Sequence, residues 1–474
     1  MRLAKSKRSR LAALASLALL GGCVNLTPDA GFNAVQTAVE QRVGAAPRWN
    51  RSQQQILEAR KEARRLLSEG ALTANAAAQI ALINNPSLQA TYAEVGIAEA
   101  DLVQANRLPN PGFSFARSTR GDEVSIERAF AMSVIGLITM PTRTRIERQR
   151  FEVAQARVAA ETTRVAAEAR RAYYGALAAQ EGVKYMEQVR EAAEASAELA
   201  RRMAAAGNFS RLDHAREQVF YAETTAQLAR VRHLAVSERE RLIRIMGLWG
   251  EELRFELPTR LPDLPASARE LAQIEYEALR QRLDVQAAMK EAQSVASSLG
   301  LTRATGFVSV LEVSYLRNSG SGQPRETGYE IDLRLPIFDW GQARVARAQY
   351  TYMQAVNRAS ETAIRARSEA RESYAAYRTA FDLARHYRDE VVPLRKRISE
   401  ENALRYNGML ISVFELLADA RQQVAAVNNY IDALRDFWAA EATLQVALTG
   451  ASPGSTGMSR LSAAAGEQPE SGGH

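Results

Sequence analysis

The chain has 474 residues, 46% of them hydrophobic and 24% charged, the balance of a folded protein of up to two or three ordinary domains rather than a disordered one. Its net charge of +7 is concentrated at the start. Arg2, Lys5, Lys7, Arg8 and Arg10 stand there with no acid before Cys23, and removing those five leaves +2, which excludes an electrostatic footprint for nucleic acid.

The basic start is followed by the apolar run Leu11 to Leu20 and then Leu20-Gly21-Gly22-Cys23. Residues 1–22 are therefore expected to be a signal peptide. The last four residues resemble the bacterial lipobox, in which the cysteine is lipidated and becomes residue one. Gly21 stands where Ala or Ser is more usual. Cys23 is the only cysteine, so no internal disulfide can form. The plainer alternative is an ordinary signal peptide followed by an incidental cysteine. Val24 follows Cys23 rather than Asp, which by resemblance to lipoprotein sorting implies the outer membrane. No run of 18 apolar residues follows Cys23, so no membrane-spanning helix is expected. The longest apolar run, Ala129 to Met140, suits a spanning strand.

Residues 23–72 form a mixed lead-in broken by Pro28, Gly31, Gly44 and Pro47, with a polar helix over Gln53–Leu67. A first repeat spans 73–247. Its entering helix runs from the N-cap Thr73 to Arg107, with a bend at Asn85-Pro86. Strands follow over about 112–139, the second covering Val124–Thr139. The long helix covers about 142–206, so that Met140-Pro141 is the joint. At a rise of 1.5 Å it would span about 98 Å. Stepping three then four through it gives a seam of mostly small residues, including Val158, Ala172, Ala179 and Ala193, broken by Glu161 and Glu168. Gly207-Asn208-Phe209-Ser210 turns the chain, and Ser210 caps a return helix to Gly247. Residues 248–267, with Pro258, Pro262 and Pro265, form a linker.

The second repeat, 268–449, follows the same order. A helix covers Ala268 to Arg303. Strands cover about 306–335, the first from Phe307 to Leu316. In the second, Tyr329, Ile331, Leu333 and Leu335 alternate with Glu330, Asp332 and Arg334. One apolar and one charged face suits a membrane barrel with a watery lumen, and equally a soluble sheet with one wet face. Leu335-Pro-Ile-Phe-Asp-Trp-Gly-Gln-Ala-Arg344 joins strand to helix, with Asp339 as cap. A long helix covers about 342–407, with a kink expected at Pro393. Asn407-Gly408 turns the chain, Ser412 caps, and Val413 to Thr449 returns. Residues 450–474 are a flexible tail. In each repeat the entering and return helices together match the long helix in length, so two shorter helices can stack end to end along it.

Several segments, in order, resemble the TolC family of outer-membrane efflux channels. They are Asn84-Asn85-Pro86-Ser87-Leu88, Leu108-Pro109-Asn110-Pro111, Leu335 through Gly341, Arg405-Tyr406-Asn407-Gly408 and Phe414 through Ala420. The resemblance covers about residues 73 to 449. It implies a mainly α fold with a small membrane β-barrel part. In that fold a homotrimer closes a twelve-stranded barrel in outer-membrane lipid, continuous with a periplasmic α-helical tunnel. Lead-in, linker and tail would wrap the tunnel as a belt. The partners implied are a periplasmic adaptor and an inner-membrane pump of the resistance-nodulation-division type. The cargo would be small molecules such as drugs, toxic compounds or metal ions. The turns at Gly207, Asn208, Phe209 and at Gly408, Met409, Leu410 would form the tip that meets the adaptor. Glu415 falls on the first acidic gate position of the family. The second falls on Ala418, with Asp419 one residue away. Asp213 is a third gate candidate. Glu415 and Asp213 can also be read as favourable charges in the first turn of a helix.

The four histidines, His214, His233, His386 and His474, share no helix face at ligand spacing, and no phosphate or dinucleotide loop is present. No catalytic residue, cofactor or metal is therefore expected. The alternatives are a periplasmic coiled-coil structural lipoprotein without channel activity and an outer channel for type I protein secretion.

Overall fold

A computed structural model describes residues 26–307, 310–322, 324–334 and 336–453. Cys23 with the signal peptide, Leu335, and the tail from residue 454 lie outside the described residues. In chain order the elements begin with α1 (Phe32–Val43), α2 (Gln53–Ser68), α3 (Ala74–Asn84), α4 (Pro86–Ala105), β1 (Gly112–Arg120) and β2 (Glu123–Ser133). They continue with α5 (Val134–Ala205), α6 (Arg211–Met246), α7 (Ile274–Gln281), α8 (Leu283–Ala304), β3 (Leu311–Gly320) and β4 (Glu326–Leu333). The last are α9 (Gln342–His386), a π-helical turn (Tyr387–Val391), α10 (Val392–Asn407) and α11 (Val413–Thr449). The backbone forms two units: 26–37, 90–159 and 284–363 in one, and 38–89, 160–283 and 364–453 in the other.

The first unit holds a four-stranded antiparallel sheet in the order β1-β2-β3-β4. The N-terminal segment is pinned there. Thr27 donates its backbone N–H (2.9 Å) and its hydroxyl (2.6 Å) to the buried Glu99 carboxylate. Gly31 lies at φ +69°, and a Cβ on it would stand 2.3 Å from the Phe151 ring. Only glycine meets both demands.

Three boundaries in this unit correct the sequence expectation. β2 ends at Ser133 and α5 starts at Val134, so the joint is not Met140-Pro141; Pro141 lies inside the helix. The Ser133 hydroxyl accepts the Gly136 N–H at 3.2 Å and opens the helix early. A continuous apolar run carries no period that separates strand from helix, which is why Ala129–Met140 read as one strand. In the second repeat β3 starts at Leu311 and β4 covers Glu326–Leu333, a shift of a few residues that leaves the alternation intact. The lead-in contributes α1 as well as α2.

The second unit contains the main apolar core. Tyr173 and Leu177 of α5, Leu242 and Met246 of α6, Tyr377 and Phe381 of α9 and Phe437 of α11 form one cluster. The linker packs into it through Phe255, Leu257, Leu261 and Leu264. Its prolines leave carbonyls free to accept: Trp438 Nε1 donates to Pro262 O at 3.1 Å and Gln180 Nε2 to Pro258 O at 3.1 Å. The expected seam on α5 is buried at Val158, Ala172, Ala179 and Ala193. Gly175 of α5 leaves room for the Glu238 carboxylate of α6, whose Oε2 would stand 2.9 Å from an added Cβ. Glu161 and Glu168 break the seam and bond to Arg164 at 2.6 and 3.0 Å.

Two helix boundaries differ here too. The helix expected from Ala268 starts at Ile274, because Tyr377 and Tyr374 hydroxyls take the N–H groups of Arg269 (3.1 Å) and Leu271 (3.4 Å). It also breaks at Arg282, as the first repeat breaks at Asn85. The disturbance expected at Pro393 takes the form of the π-helical turn just before it. Val392 N–H bonds to Tyr387 O, a wider turn that absorbs the donor Pro393 lacks.

The return helices end against these breaks. Gly247, at φ +66° after α6, sits so close to Asn84 O and Pro86 that a Cβ would approach them at 2.8 and 3.0 Å. Asn84 and Asn85 amides donate to the carbonyls of Gly247 (2.9 Å) and Ile245 (2.8 Å). In the second repeat Leu283 N–H donates to Gly450 O at 2.9 Å. Each return helix therefore ends at the break inside the entering segment, α6 at Asn84–Pro86 and α11 at Leu283, and not beyond the start of that segment.

Candidate functional site

Register makes the sheet two-faced. Phe113, Phe130, Tyr315 and Tyr329 stand directly opposite one another across all four strands. Met132, Val313 and Ile331 form the next row on the same face, and Leu311 pairs with Leu333 beyond it. All four aromatic residues are exposed, Tyr329 at 80%. The other face carries Ser114, Ala129 and Gly328 and six acids, Glu123, Glu127, Glu312, Glu326, Glu330 and Asp332. The alternation read for Tyr329–Leu333 is thus a property of the whole sheet. In β2, Ala129 and Ala131 stand on the acidic face and blur the alternation.

The strand-to-helix joint is built from Asp339 to Gln342. Asp339 Oδ1 accepts the Gly341 N–H at 2.8 Å, an Asx turn rather than the direct helix cap expected. Gly341 has φ +74°, and a Cβ on it would lie 2.9 Å from Gly306 O. The Trp340 ring packs near Phe307 at 5.6 Å. Gly341→Ala is expected to cost about 1–3 kcal/mol through the strained φ and the clash. A thermal or denaturant midpoint equal to that of the parent would show that the joint yields freely.

In the second unit the two helical turns share one geometry. After α5, Asn208 N–H bonds to Met203 O (3.0 Å) and Gly207 N–H to Ala204 O (3.1 Å), a Schellman motif with Gly207 at φ +79°. After α10, Leu410 N–H bonds to Arg405 O (2.8 Å) and Met409 N–H to Tyr406 O (2.9 Å). The left-handed residue there is Met409 at φ +58°, not Gly408. Met409 is 93% exposed, and Gly207, Asn208, Gly408 and Leu410 are exposed with it, while Phe209 is partly covered. Each turn then repeats Ser-x-x-acid. Ser210 Oγ accepts the Asp213 N–H at 3.1 Å, and Ser412 Oγ accepts the Glu415 N–H at 3.3 Å.

The gate candidates separate. Glu415 is exposed. Asp213 is held locally, accepting from Ser210 Oγ at 2.5 Å and from Arg216 at 3.4 Å. Asp419 is only 6% exposed, and among the described residues its Oδ2 has no hydrogen-bond partner. Near the first turn, Arg201 and Arg202 hold the Glu198 carboxyl down to about 2, so it stays ionised. Among the described residues no cluster of potential metal ligands occurs, and no helix is long and apolar enough to cross a membrane.

No protein-family model and no curated protein matches the chain. Solved structures do. A membrane protein from Pseudomonas aeruginosa aligns with TM-score 0.69 at 20% identity, over 82% of this chain and 92% of its own. The Campylobacter jejuni CmeC outer membrane channel aligns with TM-score 0.69 at 16% identity, over 82% and 88%. The Vibrio cholerae outer membrane protein VceC aligns with TM-score 0.68 at 15% identity, over 80% and 96%. Long helices joined to a four-stranded antiparallel sheet are the fold of the TolC-family outer-membrane channels, and this chain has that fold.

Proposed function

We propose that three copies of this chain form a passive outer-membrane channel that carries small molecules from the periplasm to the exterior. A periplasmic adaptor and an inner-membrane pump of the resistance-nodulation-division type complete the system, with Cys23 as the lipid anchor. The chain does no chemistry. The observation that carries this reading is the two-faced sheet. An apolar aromatic face suits lipid, and an acidic face suits a watery lumen. Among the described residues β1 and β4 are each paired on one side only. An open edge is not tolerated in hydrocarbon, so the sheet must meet other copies. Four strands from each of three copies give twelve. The test is purification after crosslinking in cells, which names the adaptor and pump, combined with planar-bilayer conductance. A heat-modifiable trimer with ion conductance is expected; a monomer without conductance overturns the reading.

In this channel the turns at Gly207–Phe209 and Gly408–Leu410 are the adaptor-facing tip, and Glu415 is the gate acid. Asp213 and Asp419 are weaker candidates, since the Asp213 carboxylate is held by Ser210 and Arg216 and Asp419 is buried. Three exposed Glu415 carboxylates around a threefold axis would favour cations. Glu415→Ala is expected to lower the cation-to-anion permeability ratio by a factor of roughly two to five, the size of a screened interaction below about 1 kcal/mol. An unaltered ratio removes Glu415 from the gate.

A further inference from the structure

The apolar face of the sheet carries charge in one place only. Arg117, Arg128 and Arg317 are the sole charged residues on that face of the paired strands, and no carboxylate shares it. All six acids of the paired strands lie on the opposite face. Arg128 and Arg317 are directly opposite each other in the β2–β3 ladder. Like charges so placed destabilise a sheet unless something neutralises them. Arg117 stands one row further along the same face, about 7 Å away along the strand.

The position of this row is informative. It follows immediately on the aromatic row Phe113–Phe130–Tyr315–Tyr329, on the side toward the hairpin turns at Gly121 and Gly322. The helices join the sheet at the other end of the strands. In the channel reading, on which this inference rests, the hairpin side is the outer side of the membrane. Aromatic side chains mark the edge of the hydrocarbon, and an arginine facing lipid is tolerated only near an interface. Phe115 shares the row, and the Arg128 guanidinium sits 5.9 Å from its ring centroid, which steadies the cation against the sheet.

The geometry points to a binding site for the phosphate groups of an anionic lipid in the outer leaflet, formed by Arg117, Arg128 and Arg317. Guanidinium forks take phosphate oxygens two at a time. A phosphate seated between Arg128 and Arg317 would turn their repulsion into a bridge. The lipid's acyl chains would then lie along the aromatic row and the Met132–Val313–Ile331 row below it.

The test uses the full-length protein reconstituted in phosphatidylcholine vesicles containing a minor fraction of bisphosphorylated lipid A. In parallel vesicles the same glycolipid lacks its phosphates. After extraction into detergent, retained glycolipid is measured by native mass spectrometry. The parent is expected to retain the phosphorylated lipid and not the dephosphorylated one. Arg128→Gln/Arg317→Gln is expected to retain at least about tenfold less, since charge-assisted bonds are lost. Removing like charges does not threaten the fold, and Arg128→Lys/Arg317→Lys, which keeps the charge without the fork, should fall between. Glu330→Gln, on the other face, should retain as the parent does. Equal retention by parent and double Gln variant, equal retention of both glycolipids, or displacement of the lipid by free inorganic phosphate would each overturn the site. Bilayer conductance of the same preparations separates the two claims. Conductance without retention removes only the lipid site, whereas absent conductance removes the channel reading.

Discussion

Ile331→Arg is expected to yield a chain that is made and exported but does not reach a membrane-inserted, heat-modifiable trimer. Ile331 sits in the row with Val313 and Met132, one step inside the aromatic row and two steps from the Arg128–Arg317 row. In the proposed channel this face meets lipid, where arginine costs about 2–4 kcal/mol near the midplane; over the three copies of the proposed trimer about 6–12 kcal/mol is set against insertion. That rivals the whole stability of an ordinary domain. The neighbouring Glu330→Arg is the control. Its side chain is on the acidic face, so the trimer should form as usual while the preference for cations falls. Quantifying the trimer band in outer-membrane fractions and the reversal potential in bilayers checks both. If Ile331→Arg and Glu330→Arg assemble equally well, the apolar face is not the lipid face.

Much of this arrangement is legible in the sequence where the physics is local. Ser210 and Ser412 cap their helices as expected, because capping depends on residues three apart. The period-2 pattern of Tyr329–Leu333 identified its face even though the strand limits moved. The failures are where distant residues decide. Pro141 read as a breaker, yet α5 starts seven residues earlier on the Ser133 cap. Asn407-Gly408 turns the chain as expected, but the left-handed residue is Met409, one position on, with Leu410 N–H bonded back to Arg405 O. The segregation of Arg117, Arg128 and Arg317 from six acids was invisible, because register across strands is set by turns and pairing, not by any one strand. Nor does anything around Arg282 in sequence announce a break, since its acidic partner lies far along the chain.

Arg282 carries the second large effect. It is fully buried at the break between α7 and α8. Its Nη1 donates to Glu369 Oε2 at 2.8 Å and to Ala447 O at 3.3 Å. Glu369 Oε1 accepts from Ser452 Oγ at 2.6 Å, so one carboxylate ties α9 to the break and to the segment after α11. Arg42 adds bonds to Gln281 O (3.3 Å) and Thr449 O (3.2 Å), bringing the lead-in to the same place. The Asn84–Asn85 amides do the equivalent work in the first repeat without charge. Arg282→Ala removes the cation and leaves Glu369, whose side chain is 18% exposed, facing a cavity. A loss of about 3–5 kcal/mol per chain is expected, because breaking a buried pair strands its partner. Replacing both, as Arg282→Met with Glu369→Leu, should cost far less, since the desolvation penalty leaves with the pair. Denaturant unfolding of the purified protein distinguishes the cases. A single variant no worse than the double would mean that the Ala447 carbonyl and the backbone, not the ion pair, hold this end of the return helix.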